Sequence, residues 1–235
     1  EELTKGIDYL FNKNKVKKYL GVAKIISSNE IEVNHNGKIE KIHTEKIIIA
    51  TGSTPTILPN VDIDETHIVT STGALDLKKV PKKLIVIGAG VIGLEMGTVW
   101  RRLGSEVEVI EFLPRILPGM DNEVADKFMK ILQKQGIKFK LSHSLESVKK
   151  VEGKVMLSIK DRDTNSLNQI DADVVLIAVG RKPNTSGLGL AELGLATDKH
   201  GFIEINNKFE TSIKNIYAIG DVIKGPMLAH KAEED

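Results

Sequence analysis

Two hydrophobic periods alternate along this chain. Residues 21–26, 30–33 and 38–42 switch between apolar and polar positions, separated by Ser27, Ser28 and Asn29 and by the turn residues 34–37. That period of two predicts a small antiparallel sheet. Continuous apolar runs at 46–50, 84–87, 173–179 and 215–219 instead predict strands buried on both faces, as in a parallel sheet. Residues 91–103 read as a helix and 105–110 as the strand after it. Asp121 is placed to cap a further helix, with Val124, Phe128, Ile131 and Leu132 on one face and Gly136 closing it. Residues 137–141 read as a third parallel strand, and 145–149, 154–159 and 168–170 as a second antiparallel meander. Leu3, Ile7, Leu10 and Phe11 mark a helix at the beginning of the chain. Pro55, Pro59 and residues 71–73 lead to Pro81, the expected crossing between domains.

Three of the buried strands end in glycine, at Gly52, Gly180 and Gly220. Glycine at the carboxyl end of a parallel strand removes bulk where ligands of open α/β sheets bind. The sequence meander, strand, glycine occurs twice, at 20–52 and 145–180, which predicts two related nucleotide-binding units. The fold expected is therefore α/β: one complete Rossmann-like nucleotide-binding domain of parallel sheet plus antiparallel meander, with part of a second Rossmann-like domain. The boundaries expected are 1–79 and 205–235 for the partial domain and 80–204 for the complete one.

The motif behind that expectation is Gly88, Gly90 and Gly93 between the strand at 84–87 and the helix at 91–103, followed by the acidic Glu111 at the end of the next strand. Gly88 permits the tight turn, Gly90 lets backbone approach a pyrophosphate, and Gly93 lets helix and strand pack closely. Unpaired N–H groups of the loop and first helical turn (Gly88, Ala89, Gly90, Val91, Ile92, Gly93, Leu94) would receive the anion. Glu111 would accept hydrogen bonds from ribose hydroxyls and would repel a 2′-phosphate, favouring NAD over NADP. Arg115 lies close by in sequence, but Pro114, Leu117 and Pro118 around it read as a surface loop.

Composition narrows the alternatives. The 235 residues carry a formal net charge of +1 with no basic stripe or acidic tail, so nucleic acid is not an expected partner. No apolar run reaches the length needed to cross a membrane. There is no cysteine, which excludes disulfides, thiolate metal sites and a cysteine nucleophile within these residues, and the six histidines show no metal-ligand spacing. The start at Glu1 and the stop at Asp235 predict a piece of a longer protein.

The matches at residues 49–53, 71–74, 86–95, 99–104, 180–183, 216–222 and 225–232 resemble the flavoprotein pyridine nucleotide-disulfide oxidoreductases, and among them the dihydrolipoamide dehydrogenase family. The resemblance runs over essentially the whole chain, as an internal segment. It implies FAD and NAD as cofactors, with 1–79 and 205–235 as part of an FAD-binding Rossmann-like domain and 80–204 as the NAD-binding domain. Thr51, Gly52 and Ser53 resemble part of the FAD site, and Asp221 the aspartate that holds flavin ribityl hydroxyls. Met227, Leu228, Ala229 and His230, after Pro226 at the expected first position of a helix, resemble the segment facing the flavin pyrimidine edge; Met227 and Leu228 could equally be core. Glu95 resembles the glutamate near nicotinamide and flavin, or else is an acid near a helix start. Gly180 resembles the backbone passing the nicotinamide riboside, and Leu145 the contact beneath adenine.

The resemblance further implies oxidation of dihydrolipoamide to lipoamide with reduction of NAD⁺ to NADH, lipoyl domains of a 2-oxo acid dehydrogenase complex as partners, and a homodimeric parent. The redox disulfide and the catalytic histidine of the family lie outside these residues, so no catalytic residue is assigned and the chain alone is expected to be inactive. As isolated it would be a non-catalytic NAD(H)-binding module. A related disulfide reductase or an NADH oxidase remains an alternative parent, and bacterial cytoplasm and mitochondrial matrix both remain open.

Overall fold

In the computed structural model, which describes residues 2–151 and 153–235, the apolar run 84–87 lies within the strand Lys83–Ile87 at the middle of a five-stranded parallel sheet. The sheet runs Ile68–Val69, Val174–Ile177, Lys83–Ile87, Glu106–Ile110, Lys138–Lys140. Ile87 stands opposite both Ile177 and Ile110, so the three long strands end level. The run is unbroken by polar residues because both faces are covered. Leu84 and Val86 pack with Leu94, Trp100, Ala125 and Leu132 of the helices Val91–Arg102 and Asn122–Lys134. Ile85 and Ile87 pack with Val155, Leu157 and Ile159 of an antiparallel meander, His143–Val151, Lys154–Asp161 and Leu167–Ala172. Helices, parallel sheet and meander thus form three layers, the Rossmann-like arrangement the periodicities predict.

Asp121 does cap its helix, its Oδ1 accepting Val124 N–H at 3.1 Å. The buried face differs from the expected one. Ala125 and Leu132 are buried with Phe128 and Met129 against the core, whereas Val124 and Ile131 are half exposed. Positions 125, 128, 129 and 132 keep the helical spacing; the small Ala125 and the adaptable Met129 take the inner stripe that bulk alone assigned to Val124 and Ile131.

The chain divides into two compact units, Pro55–Arg181, and a split unit of the residues up to Thr54 with Lys182–Asp235. The changeovers fall at 54/55 and 181/182 rather than at the expected 79/80 and 204/205, and not at Pro81. Residues 55–79 stay with the large sheet because Ile68–Val69 pairs with Val175 and Leu176. Residues 182–204 belong to the split unit because Leu190, Leu195 and Ile203 are buried with Ile25, Ile47 and Ile216. In that unit the antiparallel sheet Val22–Ser27, Glu30–His35, Lys38–His43 forms as expected. Its second hairpin turns on Asn36 and Gly37, both at positive φ, the pair a two-residue type I′ turn requires. Ile47–Ile49 pairs in parallel with Ile216–Ala218.

Candidate functional site

The glycine loop of the Pro55–Arg181 unit is built by three different constraints. Gly88 has φ +104, and a Cβ there would fall 2.4 Å from the Ala178 carbonyl oxygen of the neighbouring strand's end. At Gly93 a Cβ would fall 2.2 Å from the Gly88 oxygen, so the helix can pass its own loop only as glycine. Gly90 is unlike both: its φ is −76, and a Cβ would meet nothing within 4 Å. Its lack of a side chain is required neither by the turn nor by packing; it leaves backbone facing open space. Gly90 is also the N-cap of Val91–Arg102, and no side chain caps that helix. The first N–H groups of a 12-residue helix are therefore left for another acceptor. Open backbone and an uncapped helix start suit a diphosphate.

Glu111 stands beside this loop. It is buried, and its Oε2 accepts Ala89 N–H at 2.6 Å while Oε1 accepts Leu113 N–H at 2.8 Å. Two accepted bonds leave a carboxylate with further acceptor capacity for sugar hydroxyls. Leu145 is half-buried against the meander core, beside a bulge between Leu145 and Ser147. Gly180, at φ +118, lies just past the end of the strand adjacent to Lys83–Ile87, with only the Thr56 hydroxyl near a Cβ position, at 3.9 Å. Glu95 is exposed and is the fifth residue of its helix, past the first turn, where the helix dipole has largely faded.

Arg115 does not face the loop as a free cation. Its guanidinium donates to the carbonyls of Ile116, Leu117 and Met120 and to the Asn122 side chain. No sequence pattern signals these bonds, because they exist only once residues 116–122 have folded back on themselves.

In the split unit, Ser53 Oγ donates to Asp221 Oδ2 at 2.5 Å, bringing together residues 168 positions apart. Thr51 Oγ1 donates to the Asn184 carbonyl at 2.6 Å, and Asn184 N–H donates to the Gly52 carbonyl at 2.9 Å. Both hydroxyls thus spend their protons internally and offer a ligand only acceptor lone pairs. Asn184 is a clamp that sequence reading missed; its partner Thr51 is 133 residues away. Gly52, at φ +71, has nothing within 4 Å of a Cβ position. The helix after Pro226 begins at Ala229, not at the proline, and runs Ala229–Glu234 with Leu228 as N-cap. The cause is Leu228 itself, which adopts an extended backbone (φ −129, ψ 133). Met227 is half-buried, and Leu228 is 45% exposed, so core packing does not account for Leu228. Among the described residues there is no metal-binding cluster of His, Cys, Asp or Glu.

Residues 1–235 match the protein family described as pyridine nucleotide-disulphide oxidoreductase. The chain is 56% identical to the mitochondrial dihydrolipoyl dehydrogenase of Dictyostelium discoideum, over 99% of this chain and 48% of that protein. It is 52% identical to leghemoglobin reductase of Glycine max, over 99% of this chain and 45% of that protein. The solved structure of LpdA from Mycobacterium tuberculosis superposes with a TM-score of 0.90 at 25% identity, over 99% of this chain and 51% of that one. The chain spans about half the length of the curated relatives it matches.

Proposed function

Because the chain belongs to the pyridine nucleotide-disulphide oxidoreductase family, we propose that it is the nucleotide-binding segment of a dihydrolipoamide dehydrogenase. The whole protein would oxidise dihydrolipoamide to lipoamide while reducing NAD⁺ to NADH. The observation that carries this reading is the bond from Ala89 N–H to the buried Glu111 carboxylate, which supports Glu111 as an acceptor for ribose hydroxyls beside the open backbone at Gly90. Identity of 56% to a dihydrolipoyl dehydrogenase over nearly the whole chain supports this reaction.

In the Pro55–Arg181 unit, Gly90, Val91, Ile92 and Gly93 would offer N–H groups to the NAD diphosphate and Glu111 would hold the adenosine ribose. Gly88, Ala89 and Leu94, whose N–H groups bond Ile110, Glu111 and Gly90 instead of being unpaired, would shape the cradle. A 2′-phosphate would meet that carboxylate as a like charge, so NAD is preferred to NADP. Leu145 would lie beneath the adenine, with Gly180 and Glu95 toward the nicotinamide. In the split unit, Thr51, Gly52, Ser53 and Asp221 fit FAD by their chemistry: open backbone at Gly52 and a carboxylate able to accept from ribityl hydroxyls. Met227, Leu228, Ala229 and His230 would face the flavin. Flavin supplies the electron-transfer chemistry when bound, and the chain supplies orientation and charge.

The chain contains no cysteine, so on its own it holds no redox disulfide and would bind nucleotide without turnover. Partner lipoyl domains of a 2-oxo acid dehydrogenase complex and a homodimeric whole protein belong to the same proposal. The mitochondrial relatives favour the matrix over a bacterial cytoplasm. The test is an assay of the whole protein for dihydrolipoamide-dependent NAD⁺ reduction, beside NADH titration of the 235-residue chain. Turnover by the former and binding without turnover by the latter are expected; a whole protein that reduces NADP⁺ in preference would overturn the reading.

A further inference from the structure

Ala89 is held at both ends, and only one of the holders is the acidic residue. Its N–H goes to Glu111; its carbonyl accepts Leu117 N–H at 3.0 Å. No peptide among the described residues is cis, so the Ala89 carbonyl and the Gly90 N–H, which share one peptide plane, point in opposite directions. A grip on that carbonyl therefore aims the Gly90 N–H away from Leu117, on the side of the loop opposite the 116–120 turn.

Leu117 is an unlikely residue to make this grip unaided. Its φ is +47, a left-handed conformation that costs a leucine steric strain. It is held there by the turn closed through Met120 N–H to the Leu117 carbonyl at 2.9 Å, by burial of Ile116 and Leu117 in the same core as Ala89, and by Arg115. The Arg115 guanidinium bonds the Met120 carbonyl at 2.7 Å, the Ile116 and Leu117 carbonyls at 3.4 Å, and the Asn122 side chain. Among the described residues no carboxylate pairs with it. Its donors converge on the turn that carries Leu117.

We propose that Arg115 is a positioning residue for nucleotide binding: it holds the 116–120 turn, whose Leu117 N–H fixes the Ala89–Gly90 peptide and so presents the Gly90 N–H to the diphosphate. The inference rests on the reading of this loop as the NAD site. It differs from a direct role in which Arg115 would contact a 2′-phosphate, because its donors already serve the turn.

Titrating the full chain with NADH, NADPH and ADP tests it, on wild type, Arg115→Ala and Arg115→Lys, with the Gly90 amide resonance followed in the ligand-free proteins. Arg115→Ala is expected to weaken NADH and ADP alike, by about tenfold, the worth of one well-aimed donor. The NADH-to-NADPH ratio should stay as in wild type, and the Gly90 resonance should move before any ligand is added. Arg115→Lys, which restores some of the carbonyl bonds, should recover part of both effects. Should Arg115→Ala fail to fold, Asn122→Ala removes one of the guanidinium's acceptors and should show the same pattern at smaller size. Unchanged affinity in the folded variants, or a loss confined to NADPH, overturns the proposal. Absence of NADH and ADP binding in wild type would instead overturn the reading of the loop itself.

Discussion

The Glu111 carboxylate and the Ala89 N–H meet at 2.6 Å across 22 residues of chain, in a buried setting. A buried carboxylate is costly unless hydrogen-bonded, and here two backbone donors, of Ala89 and Leu113, offset that cost. The acid just past Glu106–Ile110 therefore shapes the glycine loop through its own backbone bonds. A substitution at Glu111 therefore acts on the shape of the loop as well as on recognition.

Gly90 and Gly93 should behave in opposite ways although they belong to one motif. Gly93→Ala puts a methyl group 2.2 Å from the Gly88 oxygen, so backbone must shift, and a stability loss of about 1–3 kcal/mol is expected with loss of nucleotide binding. Gly90→Ala meets open space at an ordinary φ and should leave the melting temperature unchanged or slightly raised. Its methyl would stand where the diphosphate approaches, so NADH affinity should still fall at least about tenfold. Thermal melts beside NADH titrations of both variants check this; equal destabilisation of the two would contradict it.

Asp221 and Ser53 should contribute unequally to flavin retention in the whole protein. Asp221→Ala removes the acceptor and should cost about tenfold or more in FAD affinity, as expected for losing a charge-assisted bond. Ser53→Ala should cost less, because that hydroxyl spends its proton on Asp221. Flavin absorbance per protein after dialysis reads the difference, and a larger loss in Ser53→Ala would reverse the assignment.

Asp64 gives a pH dependence of stability. Burial pushes its carboxyl up, but the N–H groups of His67, Ile68 and Thr66 and the Lys150 ammonium outweigh burial and hold it well below the usual carboxylate range. A carboxyl depressed in the folded state contributes stability that is fully present above its unfolded value of about 4 and is lost as pH falls below it. Asp64→Ala should thus be less stable than wild type at pH 7, and the gap should shrink as pH is lowered below about 4. Melts across that range decide it; a gap that widens in acid would have the wrong sign.

How much of this was legible beforehand follows from how local each signal is. The loop glycines, Glu111 and the Asp121 cap are short-range patterns, and each appears where its spacing puts it. The strand Ile68–Val69 is too short to show a period, and the helix Ser71–Asp76 is held by features no periodicity encodes. Thr70 caps it, and Glu65 accepts the N–H groups of Thr70 and Gly73. Missing that strand moved the expected boundary from 54/55 to 79/80. Asn184 and Arg115 were invisible for a related reason: their partners are backbone atoms whose position depends on the completed fold. The face of Asn122–Lys134 was misassigned because Val124 and Ile131 are more apolar than Ala125, although only the latter's stripe fits the sheet.

On the proposed reading, Glu111 recognises an unphosphorylated ribose next to a diphosphate held by the glycine loop. Dissociation constants for NADH and NADPH, measured on wild type, Glu111→Ala and Glu111→Gln, decide whether it does. Wild type should prefer NADH by about tenfold or more, and both variants should narrow that margin, Glu111→Gln while keeping an acceptor for Ala89 N–H. Tighter binding of NADPH by wild type, or a margin untouched by either substitution, would contradict the account.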